Sequence, residues 1–236
     1  MLDKSIEFLK GISVILLYNV VIPFVFGILF GRFMLNTYSV PYQICYIALY
    51  LVIIAVFIFL YRESLIKEWK DFKANKNDYF HKMIRYWLIG FILMYFFNRI
   101  VFQITGGIAA NQEANNTILE AAPVLAVSIM VFLGPFIEEI AFRKSFKKAF
   151  TNKYVFATVT ALLFGGAHLL ASFDTFSVAA ILENWTSLLH IFPYGSLGFM
   201  FGLLYYETDN IFCSTFAHMI HNGIAVLLLI VSTFIF

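Results

Sequence analysis

Long apolar stretches separated by short polar ones dominate the chain. A helix needs about 20 apolar residues to cross a hydrocarbon core. Seven stretches qualify as candidates: roughly 11–31, 41–61, 84–105, 121–141, 154–172, 186–206 and 211–235. The pattern predicts an all-α, polytopic transmembrane helical bundle of about seven spans. Between the second and third stretches, segment 62–83 mixes Leu65, Ile66, Trp69 and Phe72 with charged residues. It reads as an amphipathic helix on a membrane surface. No repeat of 20–50 residues and no low-complexity tract interrupts the series.

The polar connections set the expected orientation. Segment 62–83 carries Arg62, Lys67, Lys70, Lys73, Lys76 and Lys82, and segment 142–153 carries Arg143, Lys144, Lys147, Lys148 and Lys153. Segments 106–118 and 173–185 carry no Lys or Arg, the latter only Asp174 and Glu183; segment 32–40 has Arg32. The positive-inside rule then predicts a cytosolic N-terminus and an external C-terminus. The acidic turn 207–210 is short and weighs little. The first span is too long for a signal-peptide core and lacks a small-residue cleavage site after it, so it is expected to be retained.

Composition agrees with this picture. Of 236 residues, 61% are hydrophobic and 13% charged, with a mean hydropathy of +0.85; soluble domains carry about a quarter charged residues. No soluble domain fits between the spans. The two cysteines, Cys45 and Cys213, fall towards opposite faces of the bilayer, so neither a disulfide nor a cysteine metal site is expected. Asn115-Asn116-Thr117 fits a glycosylation sequon, a weak signal on its own.

Against this background the polar residues inside spans stand out. Glu138 and Glu139 follow the apolar run 121–136, where each carboxylate costs roughly 2.5–3.5 kcal/mol on insertion scales. On a helix they point about 100° apart, so they take different tasks. Arg143 lies four residues after Glu139, the favourable ion-pair order, which leaves Glu138 to find partners on other helices. Pro135 removes a backbone donor and is expected to bend the helix just before the acids. Span five places His168 one turn after Phe164, next to Gly165 and Gly166; span seven places His218 and Asn222 on one face. Each histidine alone fits an interhelical hydrogen bond as well as chemistry. His221 could share the His218 face or point away. His190 and His81 read as structural or interfacial, and Gly198-x-x-x-Gly202 as a close-packing site.

Converging from three spans, Glu138, Glu139, His168, His218 and Asn222 would form a polar pocket inside the membrane. A carboxylate with an imidazole can activate water. A second imidazole with an amide can stabilise an oxyanion. The combination suits amide hydrolysis better than ion transport.

Glu138-Glu139-x-x-x-Arg143, Phe164-x-x-x-His168 and His218-x-x-x-Asn222 resemble, in order, the motifs of the CPBP (Abi) intramembrane proteases, which include the type II CAAX prenyl endopeptidases. The resemblance covers about residues 121–230 and divides the chain into N-terminal spans with the amphipathic segment, 1–120, and a catalytic helical core, 121–236. It implies an intramembrane endopeptidase with Glu138 as general base, His168 assisting, His218 and Asn222 stabilising the oxyanion, and Glu139, Arg143 and Phe164 supporting. Such enzymes serve CAAX-type processing, bacteriocin maturation or immunity, and peptide signalling. A metal-free site is favoured, since no His-Glu-x-x-His helix is present; zinc would take Glu138, His168 and His218, the usual ligand count. The alternative class is a non-catalytic membrane scaffold binding a sensor or bacteriocin receptor; a proton-coupled transporter fits less well. Expected partners are a peptide or membrane-protein substrate and the lipid bilayer, with no nucleic acid. The Phe-, Ile-, Lys- and Asn-rich composition points to a bacterial plasma membrane.

One distance disagrees. Glu138 lies ~7.5 Å from Arg143 along its helix and His218 ~10 Å from Ile211, but His168 lies ~21 Å from Tyr154. Span five must start lower, tilt, or lose rise for His168 to join the others. The pocket is expected to open towards the cytosolic half.

Overall fold

The computed structural model describes residues 2–173 and 178–235, so Asp174 of the connection before span six lies outside the described residues. Among the described residues the chain is helical, with no strand. Six helices among them are long and apolar enough to cross a membrane: α1 (Asp3–Phe33), α2 (Val40–Ala74), α3 (Lys76–Thr105), α5 (Pro123–Ala149), α7 (Trp185–Thr208) and α8, whose span is Ile211–Val231. Between them lie α4 (Ala110–Ala121) and α6 (Lys153–His168). The protein is a multi-pass membrane protein. Span five of the sequence pattern is α6, a helix of 16 residues. At 1.5 Å per residue it extends ~24 Å, short of a full hydrocarbon core.

Segment 62–83 is not one surface helix. Its first part continues α2 and its last part opens α3, with the break at Asn75. Of the apolar residues that suggested a membrane-facing stripe, Leu65 is buried and Trp69 and Phe72 pack on Phe212 and Phe216 of α8, while Ile66 stays exposed.

Burial separates the helices into an interior and a shell. Half of the most apolar window of α5 and of α7 is buried, against 6% for α1, 17% for α2 and 11% for α3. The interior is held by close approach. A Cβ at Gly202 of α7 would stand 3.0 Å from the Ala157 Cα of α6, and one at Gly198 would stand 3.1 Å from Phe164 and from the Arg143 guanidinium. Gly198 and Gly202 therefore do what small residues do between membrane helices, letting two backbones meet.

One end of the bundle is a polar layer. Glu68 of α2 binds Lys144 Nζ and accepts the Ile211 amide at 2.9 Å, capping α8 from outside. Asn210 donates to the Glu68 carbonyl at 2.7 Å and to Asp71 at 2.9 Å, and Lys147 reaches Asp209 at 2.8 Å. These bonds join the α2–α3 turn, the end of α5 and the α7–α8 turn at one level.

Candidate active site

The helix carrying the acids is shaped by its own sequence. The Gly134 amide donates to Ile129, five residues back, so Ser128–Leu133 winds as a π turn. The Met130 carbonyl then loses its usual donor, Gly134, and the next one along would be Pro135, which has no N–H. A carbonyl left open inside a membrane needs a partner. Asn222 of α8 supplies it, donating through Nδ2 at 2.7 Å. The disturbance expected at Pro135 thus takes the form of a π turn, and the freed carbonyl fixes Asn222. A Cβ at Gly134 would stand 2.8 Å from the Ile129 carbonyl, so the turn itself demands glycine.

After the turn, Glu138 and Glu139 diverge as their 100° separation requires. Glu139 is fully buried; its Oε1 stands 3.2 Å from Arg143 Nη1 and accepts from His218 Nδ1 at 3.0 Å. Arg143, also fully buried, donates to the Gly198 carbonyl at 3.3 Å and lies 4.4 Å over the Phe164 ring. A single ion pair therefore ties α5 to α7 and α8. Breaking such a pair leaves an uncompensated buried charge.

Glu138 faces the other way, into a cavity of about 870 Å³, and its side chain keeps 19% of its exposure. His218 Nε2 lies 3.7 Å from Glu138 Oε2. His168 bonds the Phe164 carbonyl through Nδ1 at 2.9 Å, which presents Nε2 as an acceptor, and its ring packs between Phe164 (4.3 Å) and Tyr194 (4.6 Å). Glu138, His168, His218 and Asn222 all line this cavity. Glu139 and Arg143 stand behind it, and Phe164 separates the Arg143 guanidinium from the His168 ring.

The depth disagreement for His168 resolves at the end of α5. The rod does not stop at Arg143: a six-residue 3-10 segment, Lys144–Ala149, continues it. At ~2.0 Å per residue this adds ~12 Å before α6 begins, close to the ~13 Å gap between the two sequence counts. Span five starts lower, so its far end reaches Glu138.

From Glu138 the cavity runs along Met94, Asn98 and Phe102 of α3 to Asn111, Asn115 and Asn116 of α4. That is the end of the bundle opposite the Lys-rich polar layer. On the side of that layer, Ile140, Ala141 and Phe146 are fully buried and close the floor.

Several wall residues escaped the sequence reading. Tyr18 of α1 and Tyr50 of α2 line the cavity, within electrostatic reach of Glu138. Tyr50 ends a stripe, Tyr38, Tyr42, Tyr46 and Tyr50, whose successive rings lie 5.8, 5.5 and 5.7 Å apart. The four-residue spacing of Tyr42, Tyr46 and Tyr50 puts one phenol per turn on one face of α2, and Tyr38 lies just before that helix. His221, which by its spacing from His218 could share that face or point away, and the buried His190, read as structural or interfacial, also line the cavity.

No three His, Cys, Asp or Glu side chains among the described residues come together at metal-binding separations, Glu138, His168 and His218 included. The residues present do not form the three-ligand zinc set.

Residues 120–224 match the family model described as type II CAAX prenyl endopeptidase Rce1-like. A curated relative, "Putative membrane peptidase YdiL" of Bacillus subtilis (strain 168), is 28% identical over 127 residues, 52% of this chain and 45% of that protein. The match thus spans less than half of the relative's length. No solved structure matches. The matched residues include Glu138, His168, His218 and Asn222, which stand on one cavity, and over residues 120–224 the chain is similar to the Rce1-like family.

Proposed function

We propose that the chain is an intramembrane endopeptidase that hydrolyses a peptide bond of a membrane-associated substrate with water activated by Glu138. The observation that carries this reading is the meeting of Glu138, His168, His218 and Asn222, from three helices, on the wall of one cavity. The Rce1-like match and the peptidase name of the relative support it.

In this reading Glu138, aimed into the cavity and outside the Glu139–Arg143 ion pair, takes a proton from water. The His168 Nε2 lone pair, fixed by the Nδ1 bond to Phe164, accepts a hydrogen bond from the same water and orients it. The oxyanion that develops needs donors already in place. Asn222 has one N–H committed to Met130 and one left for this purpose. His218 donates Nδ1–H to Glu139; in its cationic form it donates through Nε2 as well, the form the role requires. That charge balances the cluster, because Glu138, Glu139 and Arg143 together leave one negative charge. Glu138 then returns the proton to the leaving amine. Glu139 and Arg143 act as positioning residues through His218 and Phe164. The substrate could be a CAAX-type C-terminus, a bacteriocin precursor or a signal peptide.

The test is cleavage of a fluorogenic peptide panel, including a prenylated CAAX peptide, by detergent-purified protein. Glu138→Gln is expected to lose the ~10²–10⁴-fold that general base catalysis supplies, with elution and melting unchanged. Full turnover by Glu138→Gln sinks the assignment. A cellular phenotype that survives Glu138→Gln with His168→Ala would favour the scaffold class instead.

A further inference from the structure

We infer that Tyr18 is a further catalytic residue of this site, donating a hydrogen bond to the substrate carbonyl oxygen as negative charge builds on it, and that Tyr50 positions Tyr18. The inference rests on the peptidase reading above. Tyr18 keeps its proton throughout, so the proton path through Glu138 is unchanged.

The residues placed so far leave the oxyanion short of neutral donors. Asn222 has one N–H left, and His218 adds a second donor only as a cation. A phenol donates without carrying a charge, so it serves an oxyanion without burying another ion. Two phenols stand beside the reacting groups. Tyr18 of α1 and Tyr50 of α2 line the cavity with Glu138, lie within electrostatic reach of its carboxylate, and hydrogen-bond each other. Tyr50 is the donor of the pair, which leaves the Tyr18 proton free for a substrate.

Packing does not account for the pair. Tyr38, Tyr42 and Tyr46 follow one another at ring separations of 5.8 and 5.5 Å, and none of the three lines the cavity. Tyr50 does, and there it meets a phenol from a different helix. The wall has two further tyrosines. Tyr95 is 61% exposed, and Tyr194 accepts from Asn111 at 3.4 Å and lies on the His168 ring.

The backbone of α1 is disturbed at the same residue. Among the described residues, π turns occur at Leu17–Val21 and at Ser128–Leu133, followed closely by Pro23 and Pro135. The Ile22 amide reaches back five residues to Leu17, so the Tyr18 carbonyl loses its usual donor, and Pro23 has no N–H to offer. In α5 Asn222 answers the same loss at Met130; no side chain among the described residues donates to the Tyr18 carbonyl. An open carbonyl inside a membrane helix is unfavourable, and π turns gather at functional sites. Here two of them, on helices far apart in the chain, border one cavity: one stands just before Glu138, and the other carries Tyr18 and Asn19 on the wall.

The test is steady-state kinetics of detergent-purified variants on a fluorogenic peptide. Tyr18→Phe is expected to lower kcat ~10²–10³-fold, the loss typical of one oxyanion donor, with KM and melting temperature held. Full turnover by Tyr18→Phe beside an inactive Glu138→Gln overturns the role of Tyr18 and leaves the peptidase reading standing; a Glu138→Gln variant that still cleaves ends that reading instead. An ortho-fluorinated tyrosine at position 18 keeps the hydroxyl and is expected to restore kcat, whereas a rate as low as that of Tyr18→Phe overturns the donor role. Tyr50→Phe is expected to lower kcat by less, and to add nothing in the Tyr18→Phe background, since it acts through Tyr18; losses that multiply overturn the positioning role. The fluorinated residue also reports without substrate. Its fluorine resonance is expected to move on Tyr50→Phe and on Glu138→Gln, and a resonance indifferent to both overturns the inference even where no peptide in the panel is cleaved.

Discussion

The shell helices α1–α3 and the interior pair α5 and α7 are all apolar and of similar length, yet they do different work. α1 has the higher mean hydropathy, 2.5 against 1.9 for α5, and buries far less of itself. The more apolar of the two leaves most of its surface outside the bundle; the one diluted by Gly134, Pro135, Glu138 and Glu139 is half enclosed by protein. Within a bilayer, apolarity does not select the interior, because lipid tails are as apolar as leucine. Small residues that allow backbone contact and polar residues that need partners select it instead.

Substitutions can break that contrast at several strengths. The largest loss is expected at Glu138, as described above, in activity alone. Next is Glu139→Ala, which leaves Arg143 charged and buried and removes the His218 acceptor. Breaking a buried pair in this way costs about 3–5 kcal/mol, so a lower melting temperature and lost cleavage should appear together. A variant with unchanged melting would remove the ion pair from the account of the interior. Gly202→Ala is expected to cost about 1–3 kcal/mol by overpacking, because the Ala157 backbone cannot retreat. Smallest is Gly27→Ala in the shell, where a new Cβ meets nothing within 4 Å. There the helix should gain about 0.5–1 kcal/mol from the exchange. Equal effects at Gly202 and Gly27, measured by thermal unfolding in one detergent, would erase the distinction between interior and shell.

Tyr18→Phe and Tyr50→Phe sharpen it from another side. They lie in the shell and outside residues 120–224, but line the cavity with Glu138. If the phenols take part in the site, turnover falls while melting holds. If they only pack, both variants match the parent. Steady-state kinetics beside a melting curve separates the two.

The three motif stretches were legible because each is local. Glu139 and Arg143 pair at i, i+4; Phe164 and His168, and His218 and Asn222, share helix faces by the same period. Span number was less legible. Apolar length cannot distinguish a full crossing from α6, which stops at His168 after 16 residues. The surface helix expected over 62–83 failed for a related reason: Leu65 and Phe72 read as a membrane-facing stripe, but a stripe of that kind packs equally well on Phe212 and Phe216.

By itself, then, the sequence determined the membrane class, the helical bundle, the basic faces and which polar residues had to seek partners. Those follow from composition and from periods of three and four residues, which no tertiary context alters. Only the tertiary structure decided that Glu139 bonds His218 while Glu138 looks into the cavity. It also decided that the 3-10 end of α5 lowers α6 enough for His168 to arrive, and that the cavity leads away from the lysines. The physical reason is common to all three: each depends on the relative heights of helices far apart in the chain. Those heights are set by a π turn, a 3-10 extension and the Glu68 cap on α8, whose consequences no single helix contains.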